Sequence, residues 1–494
     1  MIEKGCSGGR EDLGAESRLR DQIDKCRRCE ACKDLVGLSC LVFPEMFRLA
    51  DEQWKTKTEI TTGQLRQLVN RCNFCAVCPC SDIRAALLNA KTEFTHHYGL
   101  EFSARVLEKV ERIGKLAGKF PNLSNTLLKN NTARSCLTRA IGIHRDRRLP
   151  LFPREGFPAW LKTRSERSHP NRANKGKVAY FAGCSARYFF PEVAVAAVQV
   201  LEHNGLEVMV PEQHCCGMPA MLEGDRQLAL KYAGQNMAGL AEAVEAGYDI
   251  VCSCPTCGYM IKRLWREGAD MALWGKELEK SNSEFTTVQK GHGMIGALSG
   301  KYSIRIRSSH LKRVVRDEGT FSGLSPEKRL RISENTFDLG EYLVRLLRRG
   351  GLDLKLSPLK IKAAYYPPCH LREQRLGLPY QDLLRLIPGV SVEAITGDTC
   401  CGNGGIMGLK KEFHPWSIRI GSRLMARLKS LNPELVATDC LSCRMQFNQL
   451  TSYEVVHPIQ IIQQAYDLPG AASGPNPIRM TKTHLIQKGI QGLR

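Results

Sequence analysis

Five cysteines of this 494-residue chain occur twice at nearly constant spacing, and this repetition limits the folds that the chain can adopt. The first three cysteines recur after 185 residues and the last two after 186. The two sets are Cys184, Cys215, Cys216, Cys254 and Cys257, and Cys369, Cys400, Cys401, Cys440 and Cys443. Such regular repetition indicates an internal duplication, in which each half forms a similar unit.

Each half has the pattern of an α/β domain, because short apolar strands alternate with amphipathic helices. The predicted strands are Val178–Ala182, Glu207–Val210, Asp249–Cys252, Lys362–Tyr366, Val390–Ala394 and Leu435–Thr438. The predicted helices include Asp225–Ala246 and Trp416–Leu428. Each cysteine motif follows a strand. Because ligands bind beyond the carboxyl ends of strands in α/β units, we expect the thiols of each half to meet in one crevice.

A second group of cysteines, between residues 26 and 80, has the spacing of iron–sulfur ligands. Two triple runs with two-residue gaps are each followed by a fourth cysteine. Such a run presents three thiolates to one cluster, and in two-cluster ferredoxins the fourth cysteine binds the other cluster. The expected sets are Cys26, Cys29, Cys32 and Cys80, and Cys72, Cys75, Cys78 and Cys40.

Two structural zinc sites are the alternative for these eight cysteines. Zinc sites pair two separated Cys-x-x-Cys knuckles, whereas triple runs favour iron–sulfur clusters. The fourth cysteine follows Cys32 after seven residues and Cys78 after one, instead of the usual three. This departure leaves the pairing of the eight ligands open.

The duplicated sets predict a different kind of cluster. Successive side chains of an extended chain point apart, so adjacent cysteines do not easily bind one cubane. Five thiolates therefore suit an opened or distorted cluster. Gly217 and Gly402, after each Cys-Cys pair, let the backbone pass close to the metal. His214 and His370 adjoin ligands and could tune a cluster or relay a proton, although a structural role is favoured for both. Structural or unpaired thiols are predicted for Cys6, Cys136 and Cys252.

The net charge and the hydropathy of the chain limit where the protein can reside in the cell and which partners it can bind. The formal charge of +21 is compatible with an anionic membrane surface, an acidic partner or a merely solvated surface. No nucleic-acid-binding module accompanies it, so no nucleic-acid partner is expected. No apolar run is long enough to span a bilayer, and no export signal opens the chain. We therefore expect a cytoplasmic protein, in which clustered cysteines are metal ligands rather than disulfides.

These patterns predict an α/β fold, with an N-terminal α-helical ferredoxin-like dicluster domain before a tandem repeat of two α/β Cys-Cys-Gly domains. The predicted order is a disordered tail (1–20), the two-cluster domain (21–95), a helical linker (96–175), the first Cys-Cys-Gly domain (176–280), a basic insert forming a long loop (281–335), the second Cys-Cys-Gly domain (336–468) and a tail (469–494). The linker is predicted to contain a helix over Glu101–Gly118. Asp338 and His457 are predicted to cap the helices Leu339–Leu347 and Ile459–Tyr466.

From about Asp21 to Leu468 the chain resembles the iron–sulfur oxidoreductases with Cys-Cys-Gly domains. These include the B and D subunits of heterodisulfide reductase and the iron–sulfur subunits of glycolate and lactate oxidases. The likeness is strongest to the C subunit of anaerobic glycerol-3-phosphate dehydrogenase. The segments that carry it are Ile143–Pro150, Cys401–Lys411, Thr438–Cys443 and Tyr453–Pro458.

This resemblance implies that electrons pass from a separate FAD-containing dehydrogenase subunit toward a membrane quinone or a quinone-reactive partner. The implied cofactors are two cubane [4Fe–4S] clusters and up to two noncubane [4Fe–4S] clusters, on a protein peripheral to the inner face of the cell membrane. No Gly-x-Gly-x-x-Gly fingerprint follows a strand, so no flavin or nicotinamide site is expected in this chain. Similar five-cysteine sets cleave disulfides in the heterodisulfide reductases, so a thiol–disulfide reductase is the alternative. A zinc-stabilised interaction scaffold is the third hypothesis.

Overall fold

The computed structural model describes residues 14–36, 40–75, 78, 80–165, 175–280, 285–289, 303–309, 311, 315, 317–397 and 400–470. Cys6, the tail before residue 14 and nearly all of the tail predicted from residue 469 lie outside the described residues.

The N-terminal unit is helical. Its helices are α1 (Gly14–Cys29), α2 (Ala31–Val36), α3 (Val42–Thr56), α4 (Thr62–Asn70) and α5 (Ser81–Tyr98). The apolar residues Leu19 and Ile23 are one helical turn apart and lie in the core that α1 shares with α3, α4 and α5. The prediction of disorder is therefore wrong for residues 14–20, because this turn of α1 packs into that core.

The linker is helical as predicted, with the helices α6 (Phe102–Leu107), α7 (Val110–Ala117), α8 (Pro121–Lys129), α9 (Asn131–Ile141) and α10 (Phe157–Ser165). The single helix predicted over Glu101–Gly118 is interrupted between α6 and α7. The side chain of Asn130 caps α9 by accepting a hydrogen bond from the backbone N–H of Ala133 (3.0 Å).

Parallel strands form the frame of the duplicated region. The strands are β1 (Lys177–Phe181), β2 (Glu207–Met209), β3 (Asp249–Cys252), β4 (Phe285–Gln289), β5 (Ser303–Arg307), β6 (Thr336–Asp338), β7 (Ile361–Tyr365), β8 (Val390–Ala394), β9 (Leu435–Ala437) and β10 (Glu454–Val456). One four-stranded sheet has the order β2-β1-β3-β6 and the other the order β8-β7-β9-β10. The two sheets share one topology, and the six strands predicted from sequence are confirmed to within one residue.

Helices cover both faces of each sheet, as a parallel sheet requires. They are α11 (Gly183–Tyr188), α12 (Pro191–His203), α13 (Met218–Glu223), α14 (Arg226–Glu245), α15 (Pro255–Tyr259), a π-helical segment (Met260–Leu264), α16 (Ala269–Lys280), α17 (Pro326–Glu334), α18 (Leu339–Arg348), α19 (Cys369–Glu373), α20 (Pro379–Leu384), a 3-10 segment (Met407–Leu409), α21 (His414–Leu431), α22 (Leu441–Leu450) and α23 (Pro458–Ala465). The predicted helices in this region are confirmed, with α21 extending two residues earlier and three later than expected.

The region between the halves differs from the predicted loop. The strands β4 and β5 pair with each other in antiparallel orientation, and α17 packs against α14 and α16. The strand β6 pairs in parallel with β3, so residues 336–338 complete the first sheet instead of beginning the second domain. The reason is tertiary, since β3 offers the edge to which the returning chain adds its strand.

The main core lies between the two sheets. Alternate residues of each central strand point to opposite faces, so Val178 and Tyr180 enter this shared core while Ala179 and Phe181 enter a second core. The helices α12 and α23 pack against each other within the shared core. This packing joins the two halves and positions the carboxyl ends of their strands.

Candidate functional site

The five repeated thiols of the first half form one connected group beyond the carboxyl ends of β1, β2 and β3, as the strand pattern predicts. The Sγ atoms of Cys184 and Cys215 lie 3.8 Å apart. Cys216 accepts hydrogen bonds from Cys215 and Cys257, and Cys254 is hydrogen-bonded to Cys257. All five are buried except Cys184, which is half-buried.

The second half repeats this network. Cys401 accepts hydrogen bonds from Cys400 and Cys443, and Cys443 is also hydrogen-bonded to Cys440. Cys369 lies close enough to Cys400 and Cys401 for their charges to raise its pKa beyond the effect of burial. The duplication therefore preserves the spacing of the thiols and the hydrogen bonds among four of them, whereas at Cys369 the described structure gives an effect of charge in place of the contact between Cys184 and Cys215.

The adjacent cysteines face the same group, so the expectation that their side chains point apart is wrong. Each pair begins a turn in which backbone N–H groups point at the thiols. The N–H of Gly402 donates to Cys400 Sγ (3.3 Å) and that of Asn403 to Cys401 Sγ (3.5 Å). The directions of these side chains therefore give no support for a distorted cluster.

Glycine has two different roles near these turns. Gly217 and Gly402 have φ of 91° and 86°, and an added Cβ would meet the backbone of α14 or α21 rather than a thiol. At Gly183, with φ of 68°, an added Cβ would lie 2.8 Å from Cys257 Sγ. Gly183 is therefore the glycine that makes room for the Cys257 thiol, and no repeated motif marked it.

Hydrogen bonding makes the second cysteine of each Cys-Cys pair acidic, and in the first set the bond from Cys257 also lowers the pKa of Cys254 to about 7. The bond from Cys215 lowers the pKa of Cys216 to about 6, and that from Cys400 lowers the pKa of Cys401 well below its usual value. These two residues occupy equivalent positions. A thiolate at this position is prepared to bind a metal, because the thiolate is the ligand form of cysteine.

The N-terminal cysteines form two groups. Burial raises the pKa of Cys26, and the charges of Cys32, Cys80 and Cys29 raise it further. Burial likewise raises the pKa of Cys40 to about 12, with added effects of Cys75 and Cys72. Cys78 is also affected by Cys72, Cys75 and Cys40. The structure brings together the two sets that the spacing predicts, and their assignment to two clusters stays a prediction.

A thiol–thiol contact links the N-terminal unit to the second repeated set. The Cys75 side chain lies close enough to Cys400 and to Cys369 to influence the pKa of both thiols. An ion pair between Arg84 and Glu373 (2.7 Å) holds the same two units together. Sequence spacing placed these cysteines in separate clusters and gave no sign that the clusters are neighbours.

His370 joins three of the four sets. Its Nε2–H donates to the carbonyl oxygen of Phe74 (2.9 Å), which lies between Cys72 and Cys75. Its Nδ1 lies 3.0 Å from Thr256 Oγ1, between Cys254 and Cys257 in sequence. Burial lowers the pKa of His370, so the ring is neutral and Nδ1 accepts the hydroxyl hydrogen.

His214 also has structural partners. Its Nδ1 lies 3.1 Å from Glu111 Oε1, while Glu111 Oε2 accepts the backbone N–H of Cys215 (2.8 Å). Both of these histidines have hydrogen-bond partners, in keeping with the structural role favoured from sequence. Asp338 and His457 cap α18 and α23 as predicted. Cys252 is buried in the core and Cys136 is exposed on α9.

Two buried cations near the thiols were missed by the sequence analysis. Arg147 is fully buried, donates to Gln446 Oε1 (2.6 Å) and to Asn403 Oδ1, and lies near Cys401. Lys91 is buried near Cys72. A buried positive charge offsets the negative charge of a thiolate-bound cluster. A basic residue in a cysteine-rich chain suggests this charge-compensating role only if it is buried. Burial depends on the tertiary structure, so the sequence did not reveal it.

Among the described residues, two large cavities adjoin these sets, besides a small one of about 20 Å³ that Cys40, Cys72, Cys75 and Cys78 line. One of about 890 Å³ lies between the N-terminal unit and α21, and its walls include Cys40, Arg71, Phe413 and Trp416. The other, of about 670 Å³, is lined by residues that include Leu116, Lys119, Tyr188, His214 and Tyr232. Each has the volume of a small-molecule site.

The donor chemistry fits iron–sulfur clusters, since buried thiols converge in sets beside backbone N–H groups and buried cations. Within the described ranges, no three His, Cys, Asp or Glu side chains are arranged to hold a lone metal ion. Among the helices described, none is long and apolar enough to cross a membrane.

Comparison with known proteins identifies two cysteine-rich domains of the CCG family in the chain. They match residues 178–262 and 363–448, and each match spans one repeated set. The internal duplication is thereby confirmed, together with the resemblance to proteins that carry Cys-Cys-Gly domains.

The chain is homologous to several curated proteins. It is 26% identical over 362 residues to the C subunit of the anaerobic glycerol-3-phosphate dehydrogenase of Escherichia coli. The matched stretch covers 73% of this chain and 76% of that protein. It is 24% identical over 300 residues to the B subunit of the fumarate reductase (CoM/CoB) of Methanothermobacter marburgensis, covering 59% and 46%. It is 25% identical over 238 residues to "Lactate utilization protein A 2" of Bacillus cereus, covering 47% and 74%.

Proposed function

We propose that this chain, with its two CCG cysteine-rich domains, is an iron–sulfur electron-transfer subunit of a multi-subunit oxidoreductase. It carries electrons from a flavoprotein dehydrogenase toward the quinone pool. The observation that carries this proposal is the proximity of the Cys75 and Cys400 side chains. It places an N-terminal thiol set against a repeated set, as a continuous electron path requires, whereas purely structural sites have no need of such contact.

The bound groups are iron–sulfur clusters, which the homology and the thiol sets both support. The N-terminal unit acts as a ferredoxin-like domain whose two sets hold two cubane [4Fe–4S] clusters. The two CCG domains hold up to two noncubane [4Fe–4S] clusters. When bound, these clusters supply carriers that each accept one electron.

The residues around the thiols define an exposed end and a buried end. Cys29 and Cys80 are exposed, so a donor protein can approach the first N-terminal set. Cys75 and Cys400 then bring the second N-terminal set against the second CCG domain. Through its two hydrogen bonds, His370 holds the cysteine-bearing loops of both CCG domains and of the N-terminal unit in fixed relative positions.

The proposed partners are inferred from the proteins to which the chain is similar. One relative is by name a subunit of a glycerol-3-phosphate dehydrogenase and another a subunit of a fumarate reductase. The partner proposed here is an FAD-containing dehydrogenase subunit, which would bind the oxidised substrate. A quinone, or a quinone-reactive partner, is the acceptor. The protein works at the inner face of the cell membrane. The relatives do not favour a thiol–disulfide reductase.

The experiment is iron and sulfide analysis of the anaerobically purified protein with EPR, followed by reduction with a flavoprotein donor. About sixteen irons per chain are expected for four clusters of four irons. Cys400→Ser is expected to lose iron and to slow reduction of the CCG clusters, whereas the exposed Cys136→Ser retains both. Zinc in place of iron, or clusters that no flavoprotein reduces, would refute the proposal. Rapid oxidation by disulfides would instead support the reductase.

A further inference from the structure

The linker helices carry an apolar surface that the described part of the chain leaves uncovered. We name it the apolar face and define it by Leu116, Phe120, Leu123 and Leu127, whose exposed fractions are 57%, 66%, 61% and 45%. No residue of α8 is buried. Contiguous exposed apolar residues mark a site of interaction with a protein or a membrane.

The apolar face has a fixed orientation. Leu123 and Leu127 are four residues apart and share one side of α8, whereas Asn125 lies on the opposite side, and Phe120 directly precedes the helix as its N-cap residue. Asn125 binds Phe152 through two hydrogen bonds of 2.8 Å, one to its carbonyl oxygen and one from its N–H. Phe152 in turn packs against Phe189, with ring centroids 5.5 Å apart. Asn125 thus anchors the inner side of α8 to the protein, and the leucines on the other side face outward.

The chain segment that carries most of the apolar face has charges of one sign. Residues 112–145 contain no Asp or Glu and seven basic residues, namely Arg112, Lys115, Lys119, Lys129, Arg134, Arg139 and Arg145. Lys115 is paired with Glu111 (2.5 Å). Within the residues that the structure describes, Lys119, Lys129 and Arg139 have no carboxylate partner. Exposed Phe and Leu flanked by basic residues are the composition of a helix that lies in the interface of an anionic bilayer.

A cavity at the edge of the apolar face favours a lipid surface over a protein partner. Leu116 and Lys119 line the 670 Å³ cavity, and His214 and Tyr188 line it too. The charges of Cys184 and Cys215, in the first CCG domain, act on Tyr188. A molecule dissolved in the lipid could therefore enter beside the apolar face and approach the first CCG domain.

We propose that the apolar face docks on an anionic lipid bilayer and turns this cavity toward the lipid. The inference deepens the proposed function and rests on it for the identity of the lipid-dissolved acceptor. The leucines and Phe120 enter the headgroup boundary, while Lys119 and Lys129 contact anionic lipid. The surface thus specifies which side of the protein meets the membrane and which CCG domain lies nearest to it.

The test is flotation of the intact, cluster-loaded protein with vesicles of phosphatidylcholine, alone or mixed with phosphatidylglycerol. The wild type is expected to float with the mixed vesicles and to be released by high salt. Phe120→Ser combined with Leu123→Ser is expected to lower the partition coefficient at least about tenfold. Lys119→Gln and Lys129→Gln are each expected to lower it about fivefold. The matched control is Leu354→Ser with Leu386→Ser, two leucines exposed by 59% and 38% elsewhere on the chain.

The outcomes separate this inference from the proposed function. Unchanged flotation of the Phe120/Leu123 variant, or equal loss in the control pair, would overturn the inference. Failure of the wild type to float, in a protein that keeps its iron and is reduced by a flavoprotein, would overturn it while the proposed function stands. Flotation by a protein that cannot be reduced would support the surface and contradict the function. Equal thermal midpoints of all variants exclude unfolding as the cause.

Discussion

A buried ion pair between the two CCG domains gives a prediction whose size follows from the structure. Lys410 Nζ lies 2.6 Å from Glu223 Oε2, and their side chains are only 8% and 7% exposed. Glu223 ends α13 of the first domain and Lys410 belongs to the second. The buried Lys91 of the N-terminal unit also acts on Glu223, so this carboxylate faces lysines from two other units.

Removing one partner of a buried ion pair costs about 3–5 kcal/mol, because the remaining charge is left without compensation. Lys410→Met leaves Glu223 with Lys91, so we expect a loss near the lower end of this range. Glu223→Gln leaves two buried lysines facing each other, so we expect a loss near the upper end. The matched control is Lys276→Met, since Lys276 pairs with Glu327 at 2.9 Å with side chains 54% and 49% exposed. An exposed pair contributes about 0–1 kcal/mol.

The assay is urea unfolding under anaerobic conditions, followed by far-UV circular dichroism and by the visible absorbance of the clusters. A shift of the midpoint at constant slope measures the change in the free energy of unfolding. If Lys410→Met shifts the midpoint no more than Lys276→Met, the pair does not join the domains. If Glu223→Gln is no worse than Lys410→Met, the contribution assigned to Lys91 is wrong.

Three further predictions concern the site and its surroundings. Gly183→Ala should cost the first CCG domain its proposed iron, because the new Cβ meets the Cys257 thiol. Gly350→Ala, with a similar φ of 69° and open space, should retain the iron in the same iron analysis. Burial raises the pKa of Glu108 from 4.5 to about 8, so the folded protein keeps this proton while the unfolded chain loses it. Stability should therefore fall by up to about 1.4 kcal/mol per unit as pH rises from 4.5 to 8, and Glu108→Gln should flatten that slope in unfolding measured against pH. Arg147→Gln should lower the reduction potential of the second CCG domain by on the order of tens of millivolts in an EPR titration, whereas the exposed Arg148→Gln should not.

Local patterns predicted the parts of the fold that depend on neighbours in sequence. The strands β1, β3, β7 and β9 were found because apolar runs end directly before a cysteine motif. The caps Asp338 and His457 were found because a cap and its helix are adjacent. The repeat of five cysteines was visible because duplication preserves spacing. In contrast, the basic insert looked like a loop, since its helix and its pairing strand need partners on α14, α16 and β3.

The sequence by itself determined that this protein has eighteen cysteines in motifs that suit iron–sulfur ligation, in a helical unit and two equal domains. Only the tertiary structure decided which sets are neighbours. The contact of Cys75 with Cys400, the junction at His370 and the buried charge of Arg147 each join residues hundreds of positions apart. Spacing along a chain fixes how thiols in one loop can converge, but the packing of separate units depends on the burial of surfaces that no local pattern records.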